Sequence, residues 1–171
     1  MCGWAPTVPE SQCRSGTPRG GRGRKDETLA DAVLYFEDVN EGDVAPTLTR
    51  VLTRTDLVAY AGASSDYNPM HHDEVKATAA GQPSVFGHGM FSMGLLGTAI
   101  TDYVGAGNIA RFTVRFARQT WPDEELSSSI VVTGKRTEGD DHLIDLDVRL
   151  RNADGEEKVV GEATATVPTR G

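Results

Sequence analysis

Residues 64–74, SSDYNPMHHDE, gather a carboxyl group (Asp66), a carboxamide (Asn68), a proline (Pro69) and two adjacent histidines (His71, His72) into one polar run. A carboxyl group and an imidazole that converge on one cleft can share a water molecule. One takes its proton while the other delivers a proton elsewhere, and such general acid–base action typically contributes ~10²–10⁴-fold to a rate. Pro69 fixes its own φ and drives Asn68 out of the helical region, so the run reads as a bend on which Asp66 and His71 can turn inward together. The ordinary alternative is a surface turn capped by Asp66, with solvated histidines.

A second run, GHGM (Gly87–Met90), opens a long helical stretch. Gly89 at a helix start leaves a backbone N–H without an intrahelical acceptor and lets a ligand approach with no Cβ in the way. Such a donor suits a carbonyl oxygen that gains negative charge, and loss of one oxyanion donor typically costs ~10²–10³ in rate. His88 reads first as a helix-start or core histidine. Two other chemistries fit poorly. MFSMG lacks the first glycine of GxSxG, and His71, His72, Asp73 and His88 match no common zinc spacing because adjacent histidines diverge. No metal and no cofactor are expected.

The elements that would position these residues follow from periodicity. TLTRVLTRTDLVAYAGAS opens with alternation and passes into a helix, with Thr55 as its expected N-cap and an end near Gly62. HDEVKATAAG reads as a short helix capped by Asp73, with Gly81 just beyond it. HGMFSMGLLGTAITDYVGAG is the longest helix, with Met90, Met93, Leu96, Ala99 and Ile100 along one side and Gly94 and Gly97 on a thin side that implies a close neighbour. After Gly107 the period falls to two, and four strands follow in IARFTVRFARQ, SSSIVVTGKR, HLIDLDVRLR and KVVGEATATV. They predict an antiparallel meander with one wet face, hence an α+β fold, and their order excludes a βαβ dinucleotide fold.

A chain of 171 residues, 38% hydrophobic and 25% charged, predicts one soluble domain. It has no apolar run of roughly 18 residues that could cross a bilayer. Residues 1–28, rich in Gly and Arg, lack apolar periodicity and read as a disordered tail ahead of a domain at 29–171. The tail has no apolar h-region and is not a secretory signal, although its composition also suits an organelle transit peptide. Cys2 and Cys13 suggest neither a disulfide framework nor a zinc site, and fit a reducing compartment such as the cytoplasm. The formal charge is −8, and residues 1–25 carry five basic side chains against Glu10, so the body is more acidic still. That argues against nucleic acid as a partner.

DxNPxH, spelled here Asp66, Tyr67, Asn68, Pro69, Met70, His71, resembles the signature of the MaoC-like dehydratases and (R)-specific enoyl-CoA hydratases, and GHGM follows at the expected separation. The resemblance spans roughly residues 30–167, including the helix-then-strands order. It implies a hot-dog fold, a curved antiparallel sheet wrapped around a long central helix. It also implies reversible syn addition of water to a trans-2-enoyl thioester, giving a (3R)-3-hydroxyacyl thioester. By the same resemblance His71 would deprotonate water attacking Cβ, Asp66 would supply the proton to Cα, and the Gly89 N–H would hold the carbonyl oxygen, with the acid and base assignment of the pair left open. Partial burial would have to raise the Asp66 pKa for that role. Asn68 would order the loop or touch the water, with Ser65 and His88 in support. The family usually has Gly where Ser65 stands, so a φ above zero at that position would strain the loop.

The carrier arm of coenzyme A or acyl-carrier protein presents phosphate, and Arg111, Arg115 and Arg118 on the first long strand are its candidate contacts, with a salted outer sheet face as the plain alternative. Members of the family pair their sheets edge to edge, which implies a homodimer, with a heterodimer or higher oligomer as the other arrangements. Two rival functions are a non-catalytic or heterodimeric hot-dog subunit that binds an acyl thioester, and a hot-dog thioesterase.

Overall fold

HLIDLDVRLR becomes a strand with two different faces. In the computed structural model, which describes residues 33–171, Ile144, Leu146, Val148 and Leu150 are buried while Asp145, Asp147 and Arg149 point the other way. The expectations for residues 1–28, Cys2 and Cys13 among them, lie outside the described residues. The same alternation buries Leu126, Ser128, Ile130 and Val132 in the preceding strand and Val159, Ala163 and Ala165 in the following one. Each large apolar side chain so buried stabilises by about 1.5–3 kcal/mol.

Five antiparallel strands result among the described residues: β1 (Thr49–Val51), β2 (Ile109–Phe116), β3 (Glu125–Glu138), β4 (Asp141–Asn152) and β5 (Glu157–Thr166). Their order in the sheet is β1-β3-β4-β5-β2. The expected meander therefore holds only for β3 to β5. β2 pairs with β5, Phe112 opposite Ala163, and forms an edge rather than a hairpin with β3. The β3–β4 turn has two residues between the paired Glu138 and Asp141, and Gly139 supplies its positive φ of 61°.

Among the described residues three α-helices stand before β2: α1 (Arg54–Ser64), α2 (Glu74–Ala79) and α3 (Gly89–Val104). Leu96, Ala99, Ile100 and Val104 of α3 join the inward residues of β3, β4 and β5 in one core cluster. This is the α+β, hot-dog arrangement of a long helix against an antiparallel sheet.

Several local expectations need correction. The N-cap of α1 is Thr53, not Thr55, because Thr53 and Asp56 form a reciprocal capping box that satisfies two orphan donors at once. The helix runs past Gly62 to Ser64, and Ser65 closes it in the left-handed region. Gly94 and Gly97 do not mark a close neighbour: nothing lies within 4 Å of a Cβ built on Gly94, and only the Phe112 ring, at 3.8 Å, approaches one on Gly97. Met90, placed on the core side by spacing, is 56% exposed. The tight glycines lie at the helix start instead. A Cβ on Gly89 would stand 3.3 Å from the Phe116 ring, and one on Gly87 would collide with Thr120.

Candidate active site

The connection between α1 and α2 is built so that two side chains meet. α1 ends at Ser65 with φ 60° and ψ 21°, the left-handed conformation that glycine takes at lowest cost. The Asp66 carboxylate then accepts from the Asn68 N–H (3.3 Å), and the Asn68 side chain accepts from the Met70 N–H (3.1 Å). Asn68 is thus the cap of a short 3₁₀ turn over Pro69–His71, with Pro69 at its first position. That turn carries His71 back toward Asp66.

His71 is buried, and its Nδ1–H donates to the Phe86 carbonyl at 2.7 Å. A carbonyl can only accept, so in the neutral ring this bond selects the Nδ1–H tautomer, whose lone pair is on Nε2. Nε2 lies 3.9 Å from Asp66 Oδ2. The gap is too long for a direct hydrogen bond and suits one bridging water. The Asp66 side chain is 51% exposed, so this chain alone does not supply the burial expected for it.

His88 forms the third side of the cluster. It is 2% exposed, its ring stacks on that of His71 with centroids 3.8 Å apart, and its Nε2–H donates to the Asp66 carbonyl at 3.2 Å. Burial holds its pKa below the ordinary imidazole value, against the opposing pull of the Asp66 carbonyl. His72 turns elsewhere, to the Tyr67 carbonyl at 3.1 Å. Asp66, His71 and His88 offer three donor atoms within 4.8 Å of one another. The two stacked rings are inclined by 29°, so their in-plane lone pairs run side by side instead of converging on one point, as a metal ion requires.

The Phe91 and Ser92 N–H groups both donate to the His88 carbonyl, which leaves those of Gly89 and Met90 without intrahelical acceptors. Beside this helix start lies a cavity of about 380 Å³ lined by Phe86, Gly89, Ser92, Phe116, Arg118 and Thr120, among others. Asp66 and His71 do not line it. Phe86 links the two: it is one of the residues lining the cavity, and its carbonyl accepts from His71. Ser92 and Thr120 are buried hydroxyls 3.5 Å apart that motif reading had missed.

The three arginines divide. Arg118 lines the cavity, just beyond the end of β2, and pairs with Glu156 at 3.0 Å. Arg111 and Arg115 alternate with Phe112, Val114 and Phe116, the residues turned to α3 and the cavity, so both stand on the opposite face. Arg111 there pairs with Glu162. Lys158 is another residue without a motif. It is 1% exposed, and its Nζ donates to the Gln119 carbonyl (3.0 Å), Glu124 (2.7 Å) and Glu156 (2.6 Å), which ties the 117–124 segment of the cavity wall to β5.

A family model, the MaoC like domain, matches residues 36–152. The chain belongs to this family. It is 31% identical over 144 residues to an (R)-specific enoyl-CoA hydratase of Rhodospirillum rubrum, an alignment covering 82% of this chain and 97% of that protein. The unliganded R-hydratase PhaJ1 from Pseudomonas aeruginosa superposes with a TM-score of 0.70 at 28% identity, over 80% of this chain and 86% of that one. A chain of the ChsH1-ChsH2 complex from Mycobacterium tuberculosis superposes at 0.67 and 27% identity, over 75% of this chain and 98% of that one. As a MaoC-like protein, the chain has no helix among the described residues long and apolar enough to cross a membrane.

Proposed function

We propose that this MaoC-like chain is a hydro-lyase that reversibly adds water, in syn fashion, to trans-2-enoyl thioesters of coenzyme A or acyl-carrier protein, giving (3R)-3-hydroxyacyl thioesters in fatty-acid metabolism. The observation that carries this reading is the free Nε2 lone pair of His71, held by the Phe86 carbonyl 3.9 Å from the Asp66 carboxyl group. A water between them loses a proton to His71 as its oxygen bonds to Cβ. Protonated Asp66 delivers a proton to Cα, and the charge passing through the thioester oxygen is met by the Gly89 N–H. The proton on His71 then returns to Asp66, which balances the cycle. No step calls for a metal or cofactor.

Residues 29–171 form one catalytic domain in this reading. A second subunit docks along the free edge of β2, where Phe116 (48% exposed), Met90 (56%) and Tyr67 (64%) surround the helix start and the Asp66 loop. Cover by that subunit supplies the burial that Asp66 lacks. A homodimer is the simpler arrangement, and the likeness to a two-protein complex supports a heterodimer as the other. In this reading Arg118, which lines the cavity, meets the carrier phosphate. The enzyme works in the cytoplasm. The presence of an acid, a base and a helix-start donor together favours catalysis over a purely acyl-binding subunit.

Hydration of crotonyl-CoA, followed by loss of enoyl absorbance and chiral analysis of the product, tests the reading. Asp66→Asn and His71→Ala are each expected to reduce kcat by ~10²–10⁴-fold with the fold intact. Release of free thiol in place of hydration, or full activity in both variants, would overturn it.

A further inference from the structure

His88 occupies the N-cap of α3, yet its side chain makes no capping bond. Ser, Thr, Asp or Asn at that position would accept a hydrogen bond from the first turn, so a histidine there does not serve the helix. Its ring turns away and makes two other contacts. Nε2–H donates to the main-chain carbonyl of Asp66 at 3.2 Å, and the ring face lies on His71 at 3.8 Å between centroids. Tyr60 from α1 closes on it with centroids 5.0 Å apart, and Nδ1 is buried with no hydrogen-bond partner. One side chain therefore touches both halves of the acid–base pair, and those two contacts are its polar and stacking commitments to the site.

We infer that His88 is a positioning residue that sets the separation of Asp66 and His71. The donated bond fixes where the Asp66 main chain leaves α1, and the ring is the shelf that stops the His71 imidazole from swinging off the Phe86 carbonyl. The unpartnered Nδ1 follows from this arrangement: a carbonyl on Nε2 and a ring on one face leave that nitrogen inside the protein without a donor. His88 acts through its neighbours. Misplacement by about 1 Å of a reacting group can cost ~10²-fold in rate, so the effect falls on kcat.

This inference rests on the hydratase reading for its kinetic arm, and a structural arm stands without it. His88→Ser installs a better N-cap and deletes both contacts; His88→Gln keeps an N–H donor and deletes the ring; His88→Phe keeps the ring and deletes the donor. The expected results for Ser are retained or raised thermal stability, kcat lower by ~10²-fold and KM within about two-fold, with Gln and Phe between Ser and wild type. In an Asp66→Asn background the further loss on adding His88→Ser shrinks to a few-fold, because both changes act on one unit. A crystal structure of His88→Ser should show the Asp66–His71 gap widened. Wild-type kcat in the Ser variant, a fully multiplicative double variant, or an unchanged gap would overturn the inference. Wild-type protein inert on enoyl thioesters would defeat the hydratase reading, and the measured gap would still decide the positioning role.

Discussion

Gly87 and Thr120 lie so close that a Cβ built on the glycine would stand 2.2 Å from the threonine hydroxyl oxygen. Thr120 is buried, and its carbonyl also accepts from the Gly87 N–H at 2.8 Å, so neither partner can simply step aside. Gly87→Ala is expected to destabilise by about 1–3 kcal/mol through overpacking. Thr120→Ala should restore much of that loss in the double variant, since the Leu52 methyl at 3.1 Å is then the closest remaining neighbour. Urea unfolding of the four proteins checks it, and purely additive effects would contradict the contact.

Ser65 sits where a left-handed backbone is required. Removing its Cβ relieves a cost of about 1 kcal/mol per non-glycine residue in that region. Ser65→Gly should therefore raise the melting temperature, and Ser65→Val should lower it. An unchanged temperature in both would mean that the turn relaxes to negative φ.

Lys158 is fully buried with two carboxylates on its ammonium. Lys158→Met removes the cation and leaves the mostly buried Glu124 facing the gap, at a cost of about 3 kcal/mol, the low end for a broken buried pair because Glu156 can turn to solvent. Adding Glu124→Gln should recover part of the loss. Chemical denaturation reads both, and a neutral single substitution would show that the pair carries no net stability.

Burial keeps His88 below its ordinary pKa of 6.5, with Tyr60, Asp66, His71 and His72 around it. As pH falls below about 6.5 the unfolded chain binds a proton that the folded chain refuses, so stability from this residue declines with acidification and is fully present above that pH. Melting curves between pH 7.5 and 5.5 should show a steeper acid-side loss in wild type than in His88→Gln. Equal slopes would remove His88 from the balance.

Local backbone geometry was more legible in the sequence than packing. The approach of Asp66 and His71, the bend at Asn68 and the helix start at Gly89 could be read because a proline bend and a helix start are local and their residues are adjacent in the chain. The arginines illustrate what alternation can and cannot tell. Period two already sets Arg111 and Arg115 opposite Phe112 and Phe116, but only the fold shows that the phenylalanine side faces the cavity. Gly94 and Gly97 were misread because a missing side chain looks the same whether a neighbour fills the space or nothing does. The edge position of β2 was hidden too, since pairing with β5 depends on how the sheet closes over α3 and not on any turn. Ser92, Thr120 and Lys158 carry no motif, and their roles arise from segments far apart in sequence.

The tautomer of His71 is locked by a peptide oxygen, not by a side chain. That oxygen belongs to residue 86 whatever amino acid stands there, and Phe86 is also one of the residues that line the cavity. Residue 86 therefore meets His71 twice: its main-chain oxygen sets which ring nitrogen carries the proton and would do so for any residue, whereas its side chain packs edge-on against the imidazole at 5.1 Å between centroids, so a substitution at this cavity-lining position also changes one wall of the histidine.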